Sequence, residues 1–165
     1  MLLVLPLSEE DLPYRVYLLN HKKVAPFLNT SETFTIENTV EWFRKRNLSN
    51  RFDCVLKEEN QIIGMAGFVN ISKQNSNAEL YMYIDPKFQG RGLGKKSLIE
   101  VCKYGFDIIK LYKIYCYTFY FNEKANNMYE KVGFIREGYL RKHTMKDGQL
   151  RDRCFYGLLA DDFRL

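Results

Sequence analysis

The chain is poor in the residues from which metal and thiol sites are built. Its only histidines, His21 and His143, stand alone, and its four cysteines, Cys54, Cys102, Cys116 and Cys154, include no C-x-x-C pair. That spacing offers neither a zinc ligand set nor a disulfide framework, so no metal is expected and the cysteines read as small reduced hydrophobes. Long apolar runs are also missing, and no stretch approaches the roughly 20 residues that cross a bilayer. The opening Met1–Leu7 segment is too short for a secretory leader and soon meets Glu9, Glu10 and Asp11. A cytoplasmic protein with no membrane partner is the expectation. Dense Lys/Arg tracts are lacking too. The net charge of +5 is scattered along the chain, so no nucleic-acid partner is expected, although an anionic ligand is compatible. No repeat, low-complexity tract or Gly/Ser/Pro-rich linker divides the sequence.

What remains suits one core. With 165 residues, 46% of them hydrophobic and 15% aromatic, the chain has enough apolar matter for a single domain over residues 1–165. Leu2 to Leu5 reads as a short strand. Ser8 with an acid three residues later announces a helix running to about His21. Thr35 and Glu37 open a second helix, with Ile36, Val40 and Phe43 on one face and Trp42 one step off it. Two strand-like runs, about Asp53 to Lys57 and Ile62 to Val69, flank a polar turn at residues 58–61 and form a hairpin. A third strand, Ala78 to Ile84, sets Glu79, Tyr81 and Tyr83 on one face and Leu80, Met82 and Ile84 on the other, and ends at Asp85-Pro86. From about Gly92 a helix places Leu98, Val101, Cys102, Phe106 and Ile109 in one buried stripe. Lys113 to Tyr120 is a strand. Asn122 caps a helix whose Ala125, Met128, Tyr129 and Val132 share a face, and Gly133 stops it. Strands at about 135–141 and 151–159 close the chain around a turn at residues 146–149. The class is α/β, with helices on the faces of a mixed sheet.

The strongest chemical signal is Gln89-Gly90-Arg91-Gly92-Leu93-Gly94-Lys95, between a strand end and a helix start. Glycines let main-chain N–H groups converge on an anion, and a helix N-terminus adds partial positive charge, so the loop suits a diphosphate. A P-loop is excluded, because Gln89 stands where its first glycine belongs and Lys96 where Ser or Thr belongs. The dinucleotide fingerprint fails as well: counted from Gly92, its third glycine falls on Ser97. Some thirty residues downstream stands Asn122-Glu123-Lys124-Ala125, then Tyr129, then Lys131-Val132-Gly133-Phe134.

Together these segments resemble the Q/R-x-x-G-x-G/A and N-x-x-A-x-x-x-Y-x-K-x-G-F signatures of the GCN5-related N-acetyltransferase (GNAT) superfamily. The resemblance runs from about Asp53 to Phe163 and is weak before that. Its wording is similar to ribosomal-protein N-terminal, spermidine and amino-sugar-nucleotide acetyltransferases. It implies a single-domain fold with a mixed, mostly antiparallel sheet of about seven strands and about four helices. The implied activity is attack of a primary amine on the thioester of acetyl-CoA, needing two oriented substrates, oxyanion donors and proton management.

By the same resemblance, the main chain of Met82, Tyr83 and Ile84 takes the pantetheine arm. The amides of Gln89, Gly90, Arg91, Gly92, Leu93, Gly94 and Lys95 take the pyrophosphate, and Asn122 contacts the arm while also capping its helix. A main-chain N–H near Met82 or Tyr83 is the expected oxyanion donor. Tyr129 is the expected general acid, a phenol of ordinary pKa about 10 facing a thiolate of about 8.5. Glu79 is the candidate base, with a structural ion-pair role its equal rival. The acceptor is expected to be a protein N-terminus or an amino-sugar nucleotide. A polyamine enzyme, the alternative, would collect carboxylates in its first third, yet Lys22 to Thr35 holds only Glu32, with Glu37 and Glu41 beyond. Phe27, Phe34, Trp42 and Phe43 are available for stacking or for the core. A CoA-binding module without turnover is the non-catalytic alternative, which Tyr129 argues against, and homodimers are frequent in the superfamily.

Overall fold

The structure, a computed structural model, describes residues 1–164. Seven strands, β1 (Leu2–Pro6), β2 (Phe52–Glu58), β3 (Gln61–Ser72), β4 (Asn77–Ile84), β5 (Lys113–Phe119), β6 (Ile135–Lys146) and β7 (Gln149–Leu159), form one sheet in the order β1-β2-β3-β4-β5-β7-β6. Four α-helices, α1 (Leu12–Asn20), α2 (Ile36–Lys45), α3 (Leu93–Lys103) and α4 (Glu123–Val132), cover it. The architecture expected from the resemblance is therefore present. Every strand pair is antiparallel except β4–β5.

Local chemistry sets the element ends. The Thr35 hydroxyl accepts from the Asn38 amide at 3.2 Å and caps α2. Gly133, at φ 109°, ends α4 in the left-handed conformation. The β2–β3 and β6–β7 hairpins turn on Glu59-Asn60 and Asp147-Gly148, both pairs with positive φ, as two-residue turns between right-twisted strands require. β6 runs past its expected end at residue 141 to Lys146, and β7 starts at Gln149 rather than residue 151, because the two pair out to Lys146↔Gln149. α3 continues into a wider π turn at Tyr104–Ile108, so Phe106 and Ile109 pack only partly against the core while Leu98, Val101 and Cys102 are buried.

The sheet divides the interior into two layers. On the α3/α4 side lie Phe68, Leu80, Leu98, Ile114, Cys116, Tyr129 and Tyr156. On the α1/α2 side lie Leu12, Leu18, Val55 and Met65, with Val40, Trp42, Phe43 and Tyr83 packed against them. Ile36, expected on the inner face of α2, is instead 38% exposed. Trp42 is inward because its ring carries the guanidinium of Arg15 at 4.3 Å and that of Arg51 at 4.9 Å.

Gly105 tests how tightly the first layer is packed. A methyl group there would meet Phe68 Cζ at 2.7 Å and Ile114 Cδ1 at 2.9 Å. Overpacking of this kind costs about 1–3 kcal/mol, so Gly105→Ala should lower Tm in a thermal melt by about 2–4 °C for each kcal/mol lost. An unchanged Tm would mean that this layer has slack.

Candidate active site

The strand pair with the fewest partners makes the site. β4 and β5 pair in parallel only over Asn77↔Lys113, Ala78↔Ile114 and Glu79↔Tyr115. From there the strands diverge: β4 continues to Ile84 on β3 alone, while β5 continues to Phe119 on β7 alone. The edge of β4 from Leu80 onward thus faces a gap rather than a strand, and its main-chain groups are available to an extended ligand. A cleft of about 390 Å³ opens along this edge, lined by Met82, Tyr83 and Ile84 from β4, by Gln89, Gly90, Gly92, Gly94 and Lys95 from the following loop, and by Asn122 at the start of α4.

The loop is held from below. Asp85, fully buried, accepts from the Tyr14 hydroxyl at 2.7 Å and from the Lys87 amide at 2.9 Å. The Gln89 side chain donates to the Ile84 carbonyl at 3.0 Å and accepts from Lys124 Nζ at 2.8 Å. Above that brace, Gly90 and Gly92 sit at φ +80° and +74°, with nothing within 4 Å of the position a Cβ would take. Leu93, Gly94 and Lys95 open α3, and the first N–H groups of a helix have no intrahelical partner. A row of free amides at the positive end of a helix, with open space in front, fits a pyrophosphate. One expectation changes: the Gln89 amide turns to the Pro86 carbonyl at 3.4 Å, so Gln89 serves the loop through its side chain. Arg91 and Leu93 do not line the cleft; Arg91 is exposed, its guanidinium 5.9 Å from the Phe88 ring.

Asn122 keeps both expected positions, since its Oδ1 accepts from the Ala125 amide at 3.3 Å while the residue lines the cleft. Tyr129 lies one step deeper, behind Met128, and is 6% exposed. Its ring packs edge-on against Phe134 at 5.1 Å and nearly parallel to Tyr156 at 6.0 Å. Burial, and then the adjacent Cys116 thiol, push its phenol well above the ordinary value of 10, so it is protonated throughout the neutral range.

Glu79 projects from the opposite face of the sheet, where it accepts from Asn70 Nδ2 at 3.1 Å. Neither Tyr129 nor Glu79 lines the cleft itself. They stand on opposite faces of the sheet, Tyr129 in the α3/α4 layer and Glu79 on the α1/α2 side.

Sequence reasoning missed part of the lining. Lys23 and Val24, from the segment after α1, and Lys124, Ala125 and Met128 of α4 also face the cleft. Phe27, left open between stacking and core, is 43% exposed and lines it. Among the described residues no helix is long and apolar enough to cross a membrane, and no cluster could hold a metal ion.

The model of the family described as Acetyltransferase (GNAT) domain matches residues 1–135. The chain belongs to the GNAT acetyltransferase family. It is an N-acetyltransferase with acetyl-CoA as its donor. The chain is 31% identical over 150 residues to the spermidine N(1)-acetyltransferase of Escherichia coli K12, covering 89% of this chain and 80% of that one. To the ribosomal protein uS5-alanine N-acetyltransferase of E. coli K12 it is 28% identical over 125 residues, covering 75% and 64%. The spermidine N-acetyltransferase of Vibrio cholerae, solved with CoA and spermine, shares the fold with a TM-score of 0.90 at 24% identity, covering 98% of this chain and 97% of that one.

Proposed function

We propose that this GNAT chain acetylates a primary amine that approaches from the α1/α2 side of the sheet and attacks acetyl-CoA through the gap between β4 and β5. The observation that supports this most strongly is the gap itself. Past Glu79 the two strands diverge and leave an unpaired edge on β4, with a buried, protonated phenol on one face of the sheet and a carboxylate on the other. The residues named in the cleft are the proposed donor contacts, and residues 1–165 form one acetyltransferase domain in this reading because strands from β1 near the start to β7 near the end share one sheet.

The step balances simply. The amine nitrogen forms a bond to the thioester carbonyl carbon and the carbon–sulfur bond breaks. The amine gives up a proton toward Glu79, and the departing sulfur receives one from the Tyr129 hydroxyl, which is refilled from solvent. Glu79→Gln preserves the shape and the acceptor for Asn70. It should lower kcat/KM for the amine by roughly 10²-fold at neutral pH while leaving acetyl-CoA affinity unchanged. Unchanged turnover with a lowered Tm would instead make Glu79 a structural partner.

Two acceptor classes draw on different support. The names of the relatives favour the acceptor that the sequence placed second, a polyamine. The site's own charge favours the first. A polycation binds best where carboxylates gather, yet Arg153 shares the Glu79 face of the sheet and, among the described residues, pairs with no carboxylate. We adopt the second basis: an amine carried on a neutral or anionic body, a protein N-terminus or an amino-sugar nucleotide. Thiol release across spermidine, N-terminal peptides and nucleotide-linked amino sugars tests it. Preferential turnover of spermidine would return the acceptor to the polyamine class.

A further inference from the structure

The face of the sheet that the acceptor must cross carries two arginines whose charge the mechanism above leaves unused. β5 and β7 are in register at Phe119↔Arg153, Tyr117↔Phe155 and Tyr115↔Gly157, and β4 at Glu79↔Tyr115. Arg153, Phe119, Tyr117 and Glu79 therefore share one face. Arg153 is 8% exposed and lies over Phe119 at 4.7 Å and Tyr117 at 5.8 Å. Its Nε donates to the Thr118 carbonyl at 3.2 Å and its Nη1 to the Thr144 hydroxyl at 3.1 Å. Among the described residues no carboxylate forms an ion pair with it.

Arg151, two residues away along β7, lies over Phe121 at 5.6 Å, and its Nε is shielded from water with no hydrogen-bond partner. Phe121, 46% exposed, faces Phe27 at 6.0 Å, and Phe27 lines the donor cleft. Of the other charged groups around this mouth, Lys23 and Glu32 are exposed without an ion pair among the described residues, and three are engaged elsewhere. Glu79 is held by Asn70, Asp147 accepts from Ser31 Oγ at 2.7 Å, and Lys146 Nζ donates to the Ala25 and Thr30 carbonyls.

Removing a guanidinium from water without a countercharge is costly, and the cost falls away when an anion docks. The planar fork of arginine matches phosphate oxygens two at a time, and exposed rings beside it offer a stacking platform for a planar heterocycle. The Gly90–Lys95 loop lies beyond Tyr83 along β4 and is accounted for by the donor's own phosphates, so a second anion site on the acceptor side calls for a second phosphate-bearing ligand.

We propose that Arg151 and Arg153 hold the phosphates of the acceptor and that Phe27 and Phe121 stack on its base, so that the amine acetylated is one carried by a nucleoside diphosphate. This rests on the acetyltransferase reading and narrows its acceptor. The reaction that supplies such a substrate is one that installs an amine on a nucleotide-linked sugar, an amino-group transfer to a carbonyl carbon.

The test is calorimetric titration of UDP, dTDP, GDP and CDP into protein already saturated with CoA, so that the glycine loop is filled. At least one should bind one per chain. Arg151→Gln and Arg153→Gln should each weaken that binding at least about 10-fold while CoA affinity is unchanged. Should Arg153→Gln fail to bind CoA because it misfolds, the half-buried Arg151→Gln decides. The proposal is overturned if none of the four binds the CoA-saturated protein, if the variants bind as well as the native chain, or if spermidine is acetylated faster than nucleotide-linked amino sugars. Failure of CoA itself to bind would instead overturn the reading on which the proposal rests.

Discussion

Tyr129→Phe should lower kcat by roughly 10²–10⁴-fold, the usual worth of a positioned general acid, and leave acetyl-CoA affinity nearly unchanged. The two effects separate because of where the residue sits. Tyr129 lies behind the cleft lining and its ring is fixed by Phe134 and Tyr156, so phenylalanine keeps the packing and removes only the hydroxyl. The loss amounts to about 2.7–5.4 kcal/mol of transition-state stabilisation, about 1.36 kcal/mol per factor of ten. The pH profile gives a second readout. Because burial and Cys116 hold the phenol well above 10, the acid form persists as pH rises through 7 to 9. Over the same range an acceptor amine such as a protein N-terminus, of pKa about 8, becomes increasingly unprotonated. Turnover of the native chain should therefore climb with pH and show no descending limb below about 10. A descending limb near 7 would assign the acid to another group, and so would a Tyr129→Phe variant of native rate.

Gly92→Val should raise the Kd for acetyl-CoA by roughly 10–100-fold with a modest effect on Tm. Gly92 holds φ +74° with open space around its Cα. A left-handed conformation costs a side-chain-bearing residue about 1–2 kcal/mol and more when it is β-branched, and the new methyl groups would project into the space where the phosphates sit. The residue is exposed and caps α3, so the penalty falls on the loop rather than on the core. Calorimetry on the variant checks this directly; native affinity would mean that the loop is a structural turn and that the donor's phosphates lie elsewhere.

The glycine loop and the start of α4 were legible in the sequence for one physical reason: a backbone conformation or a helix cap favours a residue type. Glycine is favoured where the chain sits left-handed, as at Gly92, and a short acceptor where a helix is capped, as at Asn122, so both motifs could be found without knowing what surrounds them. The gap between β4 and β5 was not readable. Nothing in Ala78–Ile84 or Lys113–Phe119 says that parallel pairing stops after three residues, because divergence is a property of the sheet and its neighbours. Glu79 could be placed on a strand face, yet that it is the last β4 residue paired with β5 depends on that divergence.

Polar residues that serve the interior were also hidden. Asn126, 5% exposed, looks like a surface residue of α4. Its Oδ1 accepts from the Thr118 hydroxyl at 2.5 Å and its Nδ2 donates to the Tyr120 carbonyl at 3.1 Å, which ties α4 to the end of β5. Lys146 sits in an apparent turn yet is 4% exposed, clasping the segment after α1 through the Ala25 and Thr30 carbonyls. That clasp joins the β6–β7 hairpin to the α1–α2 connection and frames the acceptor side. Its partners are backbone oxygens more than a hundred residues away, which no local pattern announces.

The central claim is that this chain binds acetyl-CoA in the cleft along β4 and spends it on an amine. Calorimetric titration of acetyl-CoA into the native chain, followed by thiol release on adding amine, tests it most directly. One molecule bound per chain, with thiol released only in the presence of an acceptor, is the predicted result; a chain that takes up no acetyl-CoA would contradict the account.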